Sequence, residues 1–266
     1  VPGDAKGLVH ILQGGPEEAK ILAEDPGNPK YGICNTSLLI FDNVFVPWER
    51  VFMFGEYEFT GTYILERYSP LHRIAGSACK GGCFDILGGA VQTLIEYNGL
   101  KTTTEHLRDK FTDLISIGEI CYGTGIASAV MGYKAPSGIL IPNPVMGNAS
   151  KIFAAKHIYE AARLCTDLAG GLVATVPSWK DYYNPATKPY MDKYLKGIPG
   201  VSVENRIKLF KFIQTMISQS SMCPNVVLGA GTGFAGKVGF LHNIDLEHIK
   251  KFAKVVAGIE KEDSIP

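Results

Sequence analysis

The sequence predicts a mainly helical chain with a short β-rich opening, and three observations carry that expectation. Apolar residues recur at helical spacing over about 64–98, 102–133, 148–170, 203–222 and 244–259. Strand-like composition, rich in Val, Ile, Phe and Tyr and broken by Gly, Pro, Asn and Asp, is confined to residues 1–60. Connectors such as APSGILIPNPVMGN and VPSWKDYYNPATKPY are short or rich in Pro and Gly, which predicts an antiparallel bundle.

Taken in order, LVHIL, YGICNTSLLIF and NVFVPWERVFMF read as strands and turns, and PEEAKILAED at 16–25 as a short helix within a connection. Pro47 marks an edge of the sheet or an exit from it. A β segment of this size has exposed edges and cannot bury a core alone, so further sheet is expected from an N-terminal region. The opening VPGDAKGLVHILQ has no initiator methionine and no signal-like segment, and reads as the interior of a longer protein. Asn98-Gly99 supplies a stop for the first long helix, and Thr102 with Glu105 fits a capping box opening the second. The expected division is 1–61 as the C-terminal part of a β domain and 62–266 as a helical bundle domain. There is no internal repeat.

Composition narrows the function. The chain has 266 residues, 46% of them apolar, and 26 basic residues balance 26 acidic ones. Neither nucleic acid nor a membrane surface is an expected partner, because no charged run supplies the field. No apolar run approaches the roughly 18 residues that a bilayer span needs, and a cytoplasmic location is expected. Six scattered cysteines (34, 79, 83, 121, 165 and 223) predict free thiols or metal ligands rather than a disulfide framework.

The chemistry concentrates in HRIAGSACKGGC. On a helix, His72, Cys79 and Cys83 lie within about 40° of one another, with Lys80 beside them. The seven-residue step from His72 to Cys79 rises about 10.5 Å, too far for one small ion but compatible with an iron–sulfur cubane. Cys79 and Cys83, at i and i+4, suit a mononuclear site better. The competing reading is that this face is packed core. Glycines at 76, 81, 82, 88 and 89 open the surface to a close neighbour.

Two further stretches stand out. In DLAGGLVATVPS, Asp167, Gly170 and Gly171 fit either a helix C-cap or a phosphate approach. In GAGTGFAG, Gly231, Gly233 and Gly236 match a dinucleotide fingerprint in form only, because no βαβ unit surrounds them. They read as a glycine loop between helices. Glu66, Asp85, Glu119, His157, Tyr63, Tyr68 and Tyr122 are titratable without a visible partner.

These segments, together with VPGDAKGL, IFDNVFVPWERVF, EYNG, VSVENRIKLFKFI and KKFAKVVAGI, resemble the 4-hydroxybutyryl-CoA dehydratase/vinylacetyl-CoA isomerase family. Flavin-dependent 4-hydroxyphenylacetate hydroxylases and the acyl-CoA dehydrogenase-like fold are its wider relatives. The resemblance covers almost the whole chain, as the C-terminal half or slightly more of the family's length. It implies an antiparallel helical bundle of acyl-CoA dehydrogenase-like type preceded by the end of a β-barrel domain. It also implies FAD, a 4Fe-4S cluster, an acyl-CoA substrate and a homo-tetramer whose neighbouring subunits complete the flavin site. His72 and Cys79 match two cluster ligands, with the others expected from the N-terminal half of the protein or a partner chain. His72 and Lys80 match catalytic positions, and Ala169, Gly170 and Gly171 match a segment at the flavin.

Departures from the family pattern are equally specific. Gly76 stands where the family has a tyrosine, and no glutamate lies near Ser37 or Asn225, where two are expected. The expected function is therefore a portion of a flavin and iron–sulfur acyl-CoA dehydratase/isomerase, in the form of a divergent paralogue. The alternatives are a flavin-dependent aromatic hydroxylase without a cluster and a non-catalytic helical subunit that assembles with the missing half.

Overall fold

A computed structural model describes residues 1–12, 37–61, 67–218 and 223–259. Three long helices dominate: α1 (Ser69–Tyr97), α2 (Glu105–Val130) and α3 (Pro144–Leu168). Proline in the first turn of α1 and of α3 suits a position whose N–H has no helical acceptor. Asn98-Gly99 ends α1 as expected: Gly99 takes φ 76°, and the Leu100 N–H returns to the Ile95 carbonyl at 3.0 Å.

The three helices pack on one another as an up-down-up bundle. Arg73 meets Asn148 and Ser77 meets Ser150, so α1 and α3 run the same way. Ser128, near the end of α2, meets Asn143 at the start of α3. A small hairpin of β3 (Tyr133–Lys134) and β4 (Leu140–Ile141) makes that link. At Gly118 a Cβ would come 2.7 Å from the Phe84 Cβ, so the α1–α2 crossing requires glycine there. The connector after α3 holds two short helices, α4 (Trp179–Tyr183) and α5 (Lys188–Tyr194). Helix α6 (Val203–Ser218) then buries Ile207, Phe210 and Ile213 against the far end of the bundle.

The opening segment forms one antiparallel hairpin, β1 (Leu8–Leu12) with β2 (Ser37–Phe41), in the register Val9↔Ile40. Strand β2 is exposed along its whole length, Leu38 and Phe41 included. The mainly α class is as expected.

Several local expectations need correction. NVFVPWERVFMF forms no strand: Pro47 opens a single 3-10 turn at Trp48–Arg50. The Thr102–Glu105 box does not form, because α2 starts one residue after Thr104, which makes no side-chain cap. Of the 203–222 segment, helix is described to Ser218 and residues 219–222 lie outside the described residues; a short helix, α7 (Cys223–Leu228), follows. The expected glycine loop shortens to four residues, because Thr232 caps a new helix, α8 (Gly233–Asn243), through the Ala235 N–H. Helix α9 (Leu246–Val256) closes the described chain. PEEAKILAED lies outside the described residues, and no described helix is long and apolar enough to cross a membrane.

Candidate functional site

The first half of α1 buries a polar row, Arg73, Ser77 and Lys80, at i, i+4 and i+7. Ser77 Oγ donates to the Ser150 hydroxyl at 2.7 Å, and Ser150 Oγ donates to the Cys121 carbonyl at 3.3 Å. Arg73 donates to Asn148 Oδ1 and, through Nε, to the Ala230 carbonyl at 3.4 Å. Asn148 is held in turn by the Pro144 carbonyl at 2.7 Å. The result is a hydrogen-bonded layer shared by three helices and the loop after α7.

Lys80 is different. It is 7% exposed, and no hydrogen-bond acceptor or acid meets its ammonium among the described residues. Burial pushes its pKa down, while Cys121, Cys79 and Cys83 pull it back up, so three thiols surround one amine. Its Nζ folds back along the helix over Gly76, where a Cβ would sit only 3.0 Å away. A side chain at position 76 would press on this ammonium and require it to give by a few tenths of an ångström. Glycine at that position therefore gives Lys80 its place.

The outer face beside this lysine carries His72 and Cys79, both exposed. The packed-core reading of these two residues is thus not what the fold gives. His72 Nδ1 lies 3.4 Å from the Tyr68 hydroxyl. Cys79 is hydrogen-bonded to Cys83, whose thiol is pushed up to about 11 by burial and by the charge of Cys79. Cys121, fully buried on α2, is also pushed up to about 11 by burial, against the pull of Lys80. An accessible imidazole and thiol beside an ammonium fit an anionic metal–sulfur centre on charge and donor type. They supply only two ligands, and no third His, Cys, Asp or Glu joins them among the described residues.

At the other end of α3, Gly170 and Gly171 turn the chain at φ 80° and 78°. Their N–H groups close the helix onto the Asp167 and Thr166 carbonyls, at 2.9 and 3.0 Å. The capping alternative therefore holds, and these amides are not spare donors for a phosphate. The glycines nevertheless line an open concavity of about 690 Å³ with Arg163, Thr166 and Asp167, and Ala169 is buried behind it. Asp167 pairs with Lys110 at 2.7 Å and with Arg163 at 3.6 Å, so two cations stand at the rim. Arg163 also pairs with Glu160 at 2.7 Å, so two carboxylates balance the two cations, and the concavity offers space for an extended cofactor without excess positive charge.

The remaining candidates resolve simply. Asp85 and Glu119 are exposed, and His157 stacks on Phe153 while Nδ1 meets the Phe153 carbonyl at 2.9 Å. Ser37 is exposed on β2, Asn225 lies in α7, and Glu66 and Tyr63 fall outside the described residues. Sequence reasoning missed Arg73, Asn148 and Lys151. For Arg73 the available signal was a charge at an inward position of α1; Asn148 and Lys151, on α3, offered none.

Comparison with known proteins follows the same outline. The family model for the 4-hydroxyphenylacetate 3-hydroxylase C-terminal region matches residues 62–258. The 4-hydroxybutyryl-CoA dehydratase/vinylacetyl-CoA-Delta-isomerase of Clostridium aminobutyricum is 29% identical, over 97% of this chain and 55% of its own length. The 4-hydroxyphenylacetate 3-monooxygenase oxygenase component of Thermus thermophilus is 26% identical over 67% of this chain and 37% of its own. Among solved structures, an oxygen-tolerant archaeal 4-hydroxybutyryl-CoA dehydratase from N. maritimus superposes with a TM-score of 0.89 at 34% identity, covering 100% of this chain and 54% of that one. An HpaB oxygenase complexed with FAD and 4-hydroxyphenylacetate gives 0.82 at 18% identity, over 97% of this chain and 54% of that one, which shows a shared fold. The chain spans about half the length of the dehydratase relatives it matches.

Proposed function

The chain belongs to the 4-hydroxyphenylacetate 3-hydroxylase C-terminal family, and from that premise we propose that it is the helical portion of a flavin and iron–sulfur acyl-CoA dehydratase/isomerase-like enzyme. The observation that carries this reading is the exposed His72–Cys79 face beside the buried Lys80, whose ammonium meets no acceptor among the described residues. A dehydratase relative matching 97% of the chain, against 67% for the hydroxylase, supports the branch. The domain boundary is proposed near residue 62, the tetramer and a cytoplasmic location belong to the same reading, and the first half of the enzyme supplies the missing cluster ligands.

In this reading His72 and Cys79 would be two ligands of a 4Fe-4S cluster, and the concavity at Gly170 and Gly171, at the opposite end of α3, would receive FAD in a site that a neighbouring subunit completes. Flavin would exchange electrons with the acyl group and the cluster would act as a Lewis acid toward a hydroxyl. The chain's own contribution is binding and charge. His72 keeps Tyr68 at Nδ1, which orients the ring. Lys80 offers its ammonium over Gly76 to a substrate oxygen, in a low-dielectric setting where such a bond is strong. No carboxylate stands at Ser37 or Asn225, so these positions move no proton, and altered chemistry follows.

The test is oxygen-free purification together with the N-terminal half. Iron, acid-labile sulfide and flavin are expected, with iron lost in Cys79→Ala. A preparation lacking both iron and flavin ends this reading. Family membership favours a second reading, a flavin-dependent aromatic hydroxylase without a cluster. It requires phenol-dependent oxygen consumption that Cys79→Ala leaves intact.

A further inference from the structure

Arg73, Lys80 and Lys151 are all buried within one another's electrostatic reach, and no Asp or Glu is buried among the described residues. Buried cations without acids need another source of negative charge. For Lys151, with no exposed surface, the source is backbone. Its Nζ donates to the Val226 carbonyl at 2.7 Å and the Val227 carbonyl at 2.9 Å, both in the last turn of α7. Last-turn carbonyls lack helical partners and form the negative end of the helix. Arg73 continues the pattern, donating to the carbonyl of Ala230, which stands at φ 62°. Helix α8 closes the arrangement, with Gly236 lying against the Lys151 stem.

We infer that Lys151, assisted by Arg73, is a positioning residue that clamps segment 223–231 against the turn of α1 bearing His72, with backbone carbonyls serving as its counter-charge. The segment then forms one wall of the candidate site, set from a residue 75 positions away in sequence. The inference does not depend on flavin or iron, and the cofactor-free chain tests it.

The clamp carries a pH signature. The charged groups facing Lys151 are Arg73 and Lys80 from α1; the Cys121 thiol of α2 lies beside Lys80, and α8 turns Gly236 to Lys151 and leaves Lys237 exposed. Burial, then repulsion from Lys80 and Arg73, brings Lys151 down to about 8. In an opened segment the amine is solvated and titrates near about 10.4. Between those values the open form binds more protons, so the clamp tightens as pH rises. A neutral amine keeps two N–H donors, enough for both carbonyls.

Two measurements decide the matter. In Lys151→Met at pH 7, hydrogen exchange of residues 223–236 should accelerate about tenfold or more, while residues 84–95 stay protected; Lys151→Arg should restore most of the protection. Unchanged exchange at 223–236 in Lys151→Met overturns the clamp. The second is thermal stability between pH 8 and 10. Wild type should gain relative to Lys151→Arg, and Lys80→Met should move the midpoint of that gain to higher pH. An identical pH response in wild type and Lys151→Arg, or an unmoved midpoint in Lys80→Met, overturns the charge assignment. This comparison decides alone if Lys151→Met does not fold.

Discussion

The same three helices are packed in opposite ways at their two ends. Beyond Lys80, α1 buries Phe84, Leu87, Val91 and Leu94, and Leu114, Ile117, Ile158 and Leu164 face them. Before it, α1 buries Arg73 and Ser77, and Asn148, Ser150 and Lys151 face those. The apolar end gains from every methylene removed from water, at about 25 cal/mol per Å². The polar end spends desolvation energy on three cations; Arg73 and Lys151 recover it through hydrogen bonds, and Lys80 does not among the described residues. Stability alone gives no reason for the second arrangement, and the proposed His72–Cys79 site lies at that end.

Truncation at the apolar end should produce the largest effect. Leu94 is fully buried, and Leu94→Ala should cost about 2–5 kcal/mol by lost transfer energy plus a cavity. Urea unfolding measures it, and a cost under about 1 kcal/mol would mean that this end is not the stabilising one. Asn148→Ala comes next. It removes the acceptor that Arg73 reaches and leaves a buried guanidinium with the Ala230 carbonyl, at a cost of about 2 kcal/mol. A negligible loss would show that the polar layer is not a closed network.

Lys80→Met sharpens the contrast by reversing the sign. Its pKa is lowered by burial, so the penalty for burying the charge is fully present below the folded value and fades as pH rises toward the unfolded one. Replacing the ammonium with a methionine of similar shape should stabilise the chain by about 1 kcal/mol at neutral pH, while iron or substrate binding weakens. A destabilised Lys80→Met would mean that the ammonium has a strong partner.

This contrast also explains what the sequence made legible. Helix α1 was readable because its apolar spacing and its Asn98-Gly99 end agree. That His72 and Cys79 share an exposed face of α1, two turns apart, was readable from helix spacing. Lys151 was not, because within ASKIFAAK it looks like an ordinary solvated lysine. Its burial is decided by α7, which arrives from elsewhere in the chain. The helix α8 was missed for a related reason: glycines at 233, 236 and 239 argue for a loop, yet Gly236 and Gly239 are where α8 approaches α3. In both cases tertiary packing overrode local propensity.

The smallest effects concern helix starts, where the two ends of the bundle differ again. At the polar end Asn143 caps α3: its Oδ1 accepts the Met146 N–H at 3.1 Å, while its backbone N–H donates to the Ser128 carbonyl at 2.7 Å. At the apolar end Thr104 precedes α2 with no side-chain cap, and the expected Thr102 box is absent. Asn143→Ala should therefore cost about 1 kcal/mol, whereas Thr104→Ala and Thr102→Ala should stay within about 0.5 kcal/mol of wild type, as surface substitutions do. Chemical denaturation of the three variants makes the comparison. A Thr102→Ala loss equal to that of Asn143→Ala would restore the capping box and place the start of α2 two residues earlier. The apolar end would then owe part of its stability to a polar contact, and the division between the two ends would lose its sharpness.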